Sequence, residues 1–440
     1  MRGTKRWLIA VMVLCGLLSW SAASFAQTFQ AGAALADITP DVHKWKVNSI
    51  GYFSHKVMTG VHDRVYCEAL AMGDGQGEAV IVTCDLMGTP PVLRRKVLDG
   101  LAGAGIGDDN LLFSCSHTHS GPGNMMPNLI ARLGFGAYNE ELTQWTADQI
   151  ISAVKDARAS MKPAVLKVAV TTVANATRNR RDPAGSYDYD TRRFSSAYDP
   201  DNPENLIDPA LTVIKVDGED GSPIALLFHF ATHGTVLSAQ NLDLSADWSG
   251  AARAKVEAHA PGYVVMYMNG TEGDQAPAMD QDNNSDLDYL GIIGGRVADG
   301  VIAAMDDAQP VTAVPVRGVM ARIAVPPTTN KLADMTVPKA LIKHYFPAMP
   351  LQAVRMGDVV FMALPVEAIA SIGLTMKAGA RGAGVPYPLV AGLANDHGMY
   401  AATPDQFERG GYEVDNTVFG KIEAGFLIGE QMLLARQVMR

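Results

Sequence analysis

Residues 111–123, LLFSCSHTHSGPG, join an apolar run to two closely spaced histidines. A run of this length that ends at Gly-Pro predicts a short buried strand. Successive strand side chains point to opposite faces, so His117 and His119 are expected to leave the strand on the same side. Because neutral imidazole binds zinc and titrates near physiological pH, the pair could act as a metal ligand and an acid or base. The spacing equally fits a strand that simply ends in two polar residues.

Strand-like and helix-like segments alternate along the rest of the chain. Apolar runs typical of strands occupy residues 33–38, 65–72, 79–84, 165–173, 211–216, 223–230, 263–268, 312–325, 359–364 and 389–393. Helical spacing of apolar residues occupies 90–101, 139–154, 248–259, 287–305, 368–378 and 421–438, and Asn139 is expected to cap the second of these helices. No repeat or linker interrupts the order, which predicts an α/β domain with mixed β-sheets flanked by helices.

Polar side chains follow three further predicted strands. His233 comes after the strand at 223–230, Glu367 after 359–364, and Tyr400 shortly after 389–393. Ligands of α/β folds bind beyond the strand ends, and two histidines with one carboxylate are a common zinc set that leaves a position open. Taken singly, each residue also fits a structural role, as a helix cap, a core hydrogen-bonding group or a core aromatic.

The amino-terminal residues 1–26 have the three regions of a secretory signal peptide: basic residues, an apolar run, and small residues around a cleavage site. The mature chain, residues 27–440, is therefore predicted to be periplasmic or secreted; a retained membrane anchor is the alternative. Loss of three basic residues would take the net charge from −10 to about −13. Nucleic acid is consequently not an expected partner.

Three cysteines remain after the leader, Cys67, Cys84 and Cys115. An odd number cannot pair completely within one chain. Each lies in an apolar, strand-like run, which favours buried thiols, and one disulfide among them is left open.

The heptapeptide HTHSGPG at residues 117–123 resembles the signature of the neutral/alkaline ceramidase family. Further blocks follow in the order of that family and carry the resemblance over nearly the whole mature chain. They are residues 60–63 (GVHD), 179–180 (NR), 230–233 (FATH), 245–248 (SADW), 273–274 (GD), 365–367 (PVE) and 395–400 (NDHGMY).

The resemblance implies a zinc site and three catalytic side chains. The implied zinc ligands are His117, His233, Glu367 and Tyr400. The implied catalytic residues are His119 as the acid or base, Arg180 as the group that holds the substrate carbonyl or the developing oxyanion, and Tyr412 as a further active-site tyrosine.

Two departures from the family pattern bear on the reaction. The serine regarded as the nucleophile in ceramidases is replaced by Ala276, and no carboxy-terminal immunoglobulin-like domain is expected. The function expected from the resemblance is a secreted zinc-dependent hydrolase that cleaves an amide bond of an N-acyl lipid or ceramide-like substrate by metal-activated water. Its partner would be a small-molecule or lipid substrate, which could be presented at a membrane surface. The alternatives are a zinc esterase or lactonase, and a non-catalytic binding protein on the same scaffold.

Overall fold

The computed structural model of the protein describes residues 29–52, 56–127, 132, 135–311, 313–325, 331–332, 335–336 and 338–440. The predicted leader, residues 1–26, lies outside the described residues. Among the helices in the described ranges, none is both long enough and apolar enough to cross a membrane.

The larger of two main sheets contains nine strands of the described chain. They are β1 (Gln30–Asp37), β2 (Tyr66–Gly73), β3 (Glu78–Cys84), β4 (Leu111–Cys115), β5 (Lys162–Thr172), β6 (Ala210–Gly218), β7 (Pro223–Phe230), β8 (Val264–Asn269) and β9 (Gln309–Pro310). Their spatial order is β8-β7-β6-β5-β1-β2-β3-β4, and β9 pairs with β5. Neighbours are antiparallel except for β3 with β4 and β7 with β8, which are parallel.

The smaller sheet contains β10 (Val316–Ile323), β11 (Met349–Met356), β12 (Val359–Ala363) and β13 (Tyr387–Ala391), in that spatial order. Among its described strand pairs, β12 and β13 are parallel, and the other two pairs are antiparallel. Both sheets are therefore mixed, as the sequence predicts.

The helices lie in the connections between these strands. They are α1 (Pro91–Leu101), α2 (Glu140–Ala159), α3 (Asp247–His259), α4 (Asp286–Asp306), α5 (Lys339–Tyr345), α6 (Ala370–Gly382), α7 (Pro404–Arg409), α8 (Tyr412–Asp415) and α9 (Glu423–Met439), with single 3₁₀ turns at Ala102–Ala104 and Gly420–Ile422. Asn139 caps α2 as predicted, because its side chain accepts the backbone N–H of Leu142 at 3.0 Å.

The two sheets pack face to face, and helices cover their outer faces. Leu70 and Leu112 of the larger sheet share one apolar cluster with Phe361 and Leu389 of the smaller sheet. Helices α1 and α2 cover one half of the larger sheet, α3 and α4 cover the other half, and α6 and α9 cover the smaller sheet. Strands buried on both faces need apolar residues throughout, which explains the continuous apolar runs in the sequence.

Two of the three mature cysteines are paired. Cys67 of β2 lies directly opposite Cys84 of β3, and the two form a disulfide. Cys115 is a buried free thiol, and burial raises its pKa to about 12. The favoured prediction of buried thiols is therefore wrong for Cys67 and Cys84, because their apolar surroundings did not show that the register of the two strands sets the cysteines opposite each other.

Short two-stranded ladders fix the segments that leave the main strands. They pair Gly60–Val61 with Asp243–Leu244, Thr177–Asn179 with Gln275–Pro277, Glu367–Ala368 with Tyr400–Ala401, Tyr187–Asp188 with Arg193–Phe194, and Lys331–Leu332 with Met335–Thr336. Three of the predicted site residues lie in or next to these ladders, which gives their loops defined positions.

Candidate metal centre and active site

The predicted strand exits meet at one edge of the two packed sheets. A parallel bridge between Thr118 and Gly234 joins the segment after β4 to the segment after β7. In the smaller sheet, Glu367 lies directly opposite Tyr400 in their short ladder. The structure therefore brings the four predicted zinc ligands together, two from each sheet.

The donor atoms of these four side chains converge on one small volume. The Oε2 atom of Glu367 lies 3.3 Å from Nε2 of His117 and 3.2 Å from Nε2 of His233. The hydroxyl oxygen of Tyr400 lies 3.2 Å from Nε2 of His233. All four residues are buried, with 4% or less of their surface exposed.

Backbone carbonyls determine which nitrogen of each histidine carries the proton. The Nδ1 atom of His117 lies 2.6 Å from the carbonyl oxygen of Met87, and Nδ1 of His233 lies 2.8 Å from that of Glu272. A carbonyl oxygen only accepts, so both Nδ1 atoms donate and both Nε2 atoms present a lone pair to the centre.

This arrangement fits a divalent cation such as zinc. Two imidazole Nε2 atoms face the same carboxylate oxygen, Oε2 of Glu367, and no described residue donates a well-formed hydrogen bond to it. Ligands of tetrahedral zinc, with bonds of 2.0–2.1 Å, lie about 3.3 Å from one another. The measured donor separations match that spacing.

The low-dielectric surroundings keep His233 neutral and Tyr400 protonated in the absence of a metal. Burial, followed by the positive charge of Arg180, lowers the pKa of His233 to about 4. Burial, followed by the negative charge of Glu367, raises the pKa of Tyr400 well above its ordinary value. His233 is consequently neutral at neutral pH, and its Nε2 lone pair accepts from Nη1 of Arg180 at 3.2 Å.

His119 borders the donor atoms, but strand alternation does not place it there. Strand β4 ends at Cys115, and His117 has a left-handed φ of 65°, so the predicted continuation of the strand through both histidines is wrong. Even so, Nε2 of His119 lies 3.2 Å from Nε2 of His117, and its ring packs 4.9 Å from that of Tyr52. Burial lowers the pKa of His119 well below its ordinary value, which leaves this partly exposed imidazole neutral.

Arg180 and Tyr412 complete the predicted set. The guanidinium of Arg180 places Nη1 3.2 Å from Nε2 of His233, and its Nη2 donates to the Tyr400 hydroxyl at 3.0 Å. The ring of Tyr412 lies 5.6 Å from that of Tyr400 and 5.3 Å from the Arg180 guanidinium. Tyr412 is 45% exposed, so it stands between the buried donors and the solvent.

Three residues of the site were not singled out from the sequence. The Nε2 atom of His397 lies 3.1 Å from Oε1 of Glu367, and Oε1 of Glu413 accepts from Nε of Arg180 at 2.7 Å. Glu272 is fully buried beside His117 and Glu367. His397 lies three residues before the predicted Tyr400, and Glu413 directly follows the predicted Tyr412. This closeness in sequence was the only feature that could have identified them as site residues. Their partners lie 30 and 233 residues away along the chain.

Ala276, at the position of the family serine, lies in the ladder between Thr177–Asn179 and Gln275–Pro277. Its methyl group is fully buried and packs with Tyr187 and Phe194. The neighbouring Asp274 holds Arg180 in place, since its carbonyl oxygen accepts the Arg180 backbone N–H at 2.8 Å.

Comparison with known proteins places the chain among relatives with the same fold. Residues 29–288 match the family described as neutral/alkaline non-lysosomal ceramidase, N-terminal. Neutral ceramidase A of Dictyostelium discoideum is 24% identical over 94% of this chain and 73% of its own length. A neutral ceramidase of Oryza sativa subsp. japonica is 28% identical over 57% of this chain, but the match covers only 31% of that relative.

The solved structures agree with the sequence matches. The crystal structure of neutral ceramidase from Pseudomonas aeruginosa superposes with a TM-score of 0.81 at 19% identity, over 94% of this chain and 74% of that one. At this identity the superposition shows a common fold, and the family match spans more than half of the chain. The chain therefore belongs to the neutral/alkaline non-lysosomal ceramidase family.

Proposed function

We propose that the protein hydrolyses the amide bond of a ceramide-like N-acyl lipid at a zinc centre formed by His117, His233, Glu367 and Tyr400. The observation that carries this proposal is the convergence of two imidazole lone pairs on an unprotonated carboxylate oxygen in a buried site. The names of the relatives, neutral ceramidases, support ceramide as the substrate class.

The chain's own residues would hold the metal ligands in fixed orientations. The carbonyls of Met87 and Glu272 fix the two imidazoles, and His397 contacts the outer oxygen of Glu367. Such outer contacts orient ligands and tune metal affinity. A zinc ion bound there would polarise a carbonyl oxygen and lower the pKa of a water molecule from 15.7 to about 7.

Arg180 is the group that would stabilise charge on the reacting carbonyl. Its Nη1 and Nη2 atoms lie beside His233 and Tyr400, so the guanidinium faces the same volume as the metal ligands. Glu413 fixes the opposite side of the guanidinium through Nε. A preorganised donor in a water-poor site favours the transition state, in which the carbonyl oxygen becomes negative.

His119 would move the proton of the reaction. It is neutral and partly exposed, with Nε2 beside His117, so it can accept a proton from the attacking water and return it to the leaving nitrogen. Tyr412, at the mouth of the site, is placed to contact the part of the substrate that remains near solvent.

Export and domain extent belong to the same proposal. Residues 1–26 have the pattern of a signal peptide, which supports a mature periplasmic or secreted enzyme of residues 27–440. Amino-terminal sequencing of native protein that returned residues before Gln27 would contradict this assignment.

The test of function combines metal analysis with hydrolysis of a short-chain ceramide and of a matched ester. We expect about one zinc per chain, amide cleavage above ester cleavage, and loss of metal in His233→Ala. Arg180→Ala should lower turnover by roughly 10²-fold without loss of zinc. Arg181→Ala is the matched control, because Arg181 also binds Glu413, at 2.6 Å, and has no described contact with a predicted ligand.

Two results would overturn the proposal. The first is a wild-type protein that holds no zinc and takes none up. The second is a zinc-loaded protein that cleaves neither amide nor ester, which would favour a binding role instead.

A further inference from the structure

Glu272 is a buried carboxyl group whose two oxygens have no hydrogen-bond partner in the described part of the chain. It is 0% exposed, and neither Oε1 nor Oε2 accepts a hydrogen bond from another described residue. Leaving a carboxylate unpaired in a low-dielectric interior is costly, so such groups are normally paired, protonated or bound to a metal. Something other than the described side chains must satisfy this group.

The Glu272 carboxyl lies at the predicted metal centre. Ligand atoms of His117, Glu272 and Glu367 all lie within 4.8 Å of one another. The main chain of Glu272 serves the same site, because its carbonyl oxygen accepts from Nδ1 of His233. One residue therefore orients one imidazole and directs its own carboxyl toward another.

The backbone around Gly392 holds the carboxyl in this position. A Cβ atom at Gly392 would approach Oε2 of Glu272 to 2.7 Å and the carbonyl oxygen of Gly270 to 2.0 Å. Only glycine allows the two segments to approach so closely, so the side chain of Glu272 is enclosed by backbone rather than by solvent.

No cation of the described chain neutralises the two carboxylates. Neither Glu272 nor Glu367 forms an ion pair with a described lysine or arginine, and Arg180 is already bound to Glu413. Two negative groups this close in a buried site strongly oppose joint ionisation. A divalent cation between them would neutralise both.

We propose that the carboxylate of Glu272 is a further ligand of the single divalent cation held by His117, His233, Glu367 and Tyr400. This inference rests on the zinc centre of the proposed function and adds a second carboxylate to it. The alternative is a permanent proton on Glu272, in which case Glu272→Gln would leave the zinc affinity unchanged.

The test measures metal affinity rather than activity, in the full mature chain. Zinc affinity and stoichiometry are measured at pH 7 by competition with a chelator, for wild type, Glu272→Gln and Glu423→Gln. Glutamine has the shape of protonated glutamate and no charge. Glu423 is the matched control, because it is also 0% exposed but belongs to no described cluster of potential metal ligands.

We expect one zinc per chain in all three proteins, and a zinc dissociation constant raised on the order of 10- to 100-fold in Glu272→Gln alone. The visible spectrum of the cobalt(II)-loaded protein should also change in Glu272→Gln and not in Glu423→Gln. Glu272→Leu, which removes the polar group, should reproduce the loss of affinity in a folded protein.

Unchanged affinity and an unchanged cobalt spectrum in a folded Glu272→Gln protein would overturn the assignment while leaving the zinc centre intact. Two zinc ions in wild type and one in Glu272→Gln would overturn the single-cation form. Failure of the wild-type protein to bind any metal would instead refute the proposed function itself.

Discussion

Two buried polar clusters of this protein differ in the positive groups that bind their carboxylates. In the arginine cluster, Arg253 binds Glu68 through Nη1 and Asp85 through Nη2, the latter at 2.5 Å. Thr83 donates to the second oxygen of Glu68 at 2.7 Å, and the backbone N–H of Tyr66 donates to Asp85 at 2.9 Å. This cluster contains its own cation, and because burial raises the pKa of Glu68 to about 7, a proton on that carboxyl can balance the second negative charge.

The donor cluster, His117, His233, Glu367 and Tyr400, is equally buried, but its carboxylate, Glu367, forms no ion pair with an arginine or lysine of the described chain. Its donor atoms lie 3.2–3.3 Å from one another. The difference shows how to separate structural from functional polar groups. A buried cluster whose carboxylates are bound by an arginine of the protein supports the fold, whereas a buried carboxylate that no arginine or lysine binds indicates a bound ligand.

The largest effect should come from removing the cation of the arginine cluster. Arg253→Met leaves Glu68 and Asp85 buried without a partner, so we expect a loss of about 3–5 kcal/mol in the free energy of unfolding, measured in urea. Glu367→Gln in metal-free protein is the comparison and should cost little, because it removes a charge that has no protein cation. Similar losses in both variants would contradict the distinction between the clusters.

The second largest effect should come from removing the disulfide, which should lower the stability of the fold around the arginine cluster and leave the donor cluster unchanged. Cys67 and Cys84 immediately precede Glu68 and Asp85 on paired strands. Replacement of both cysteines by alanine should lower the free energy of unfolding by about 3 kcal/mol, as expected for a closed loop of this size. Zinc content should not change; a parallel loss of zinc would show that the two regions are coupled.

Metal removal should affect only the donor cluster. At a free zinc concentration 100 times the dissociation constant, the wild-type protein should gain about 2.7 kcal/mol of stability. Thermal unfolding with zinc and with a chelator measures this gain, which Glu367→Gln should largely lose. A full gain in that variant would exclude Glu367 as a ligand.

The smallest effect concerns pH in the metal-free protein. The pKa of His233 is lowered to about 4 from an ordinary value of 6.5, so the unfolded chain binds a proton more readily than the folded one between these values. Stability should therefore fall as pH drops below 6.5, with His233 contributing about 2 kcal/mol of the loss at pH 5. Denaturation of wild type and His233→Gln at pH 7.5 and pH 5 isolates this contribution, and an equal loss in both would argue against it.

The sequence located most of the main strands and helices but missed the strand β11 (Met349–Met356) of the smaller sheet, and it predicted long-range neighbours poorly. Apolar runs ended by glycine or proline located the strands before His117, His233 and Glu367, because burial and turn chemistry are local properties. The pairing of Cys67 with Cys84 depends on the register of two adjacent strands, which their apolar residues do not specify. The same limit applies to Glu413, whose partner Arg180 lies 233 residues away, and to Glu272, whose unpaired state is visible only in three dimensions.

The division of the donor cluster between the two sheets also has a consequence for biosynthesis. His233 and Tyr400 are in contact although 167 residues separate them along the chain. Contacts of such long range form late in folding, because bringing distant parts of the chain together costs conformational entropy. A nascent chain that ends before Glu367 offers imidazoles without the carboxylate and the phenol, so it lacks a complete donor set. Metal uptake would therefore distinguish finished molecules from unfinished ones.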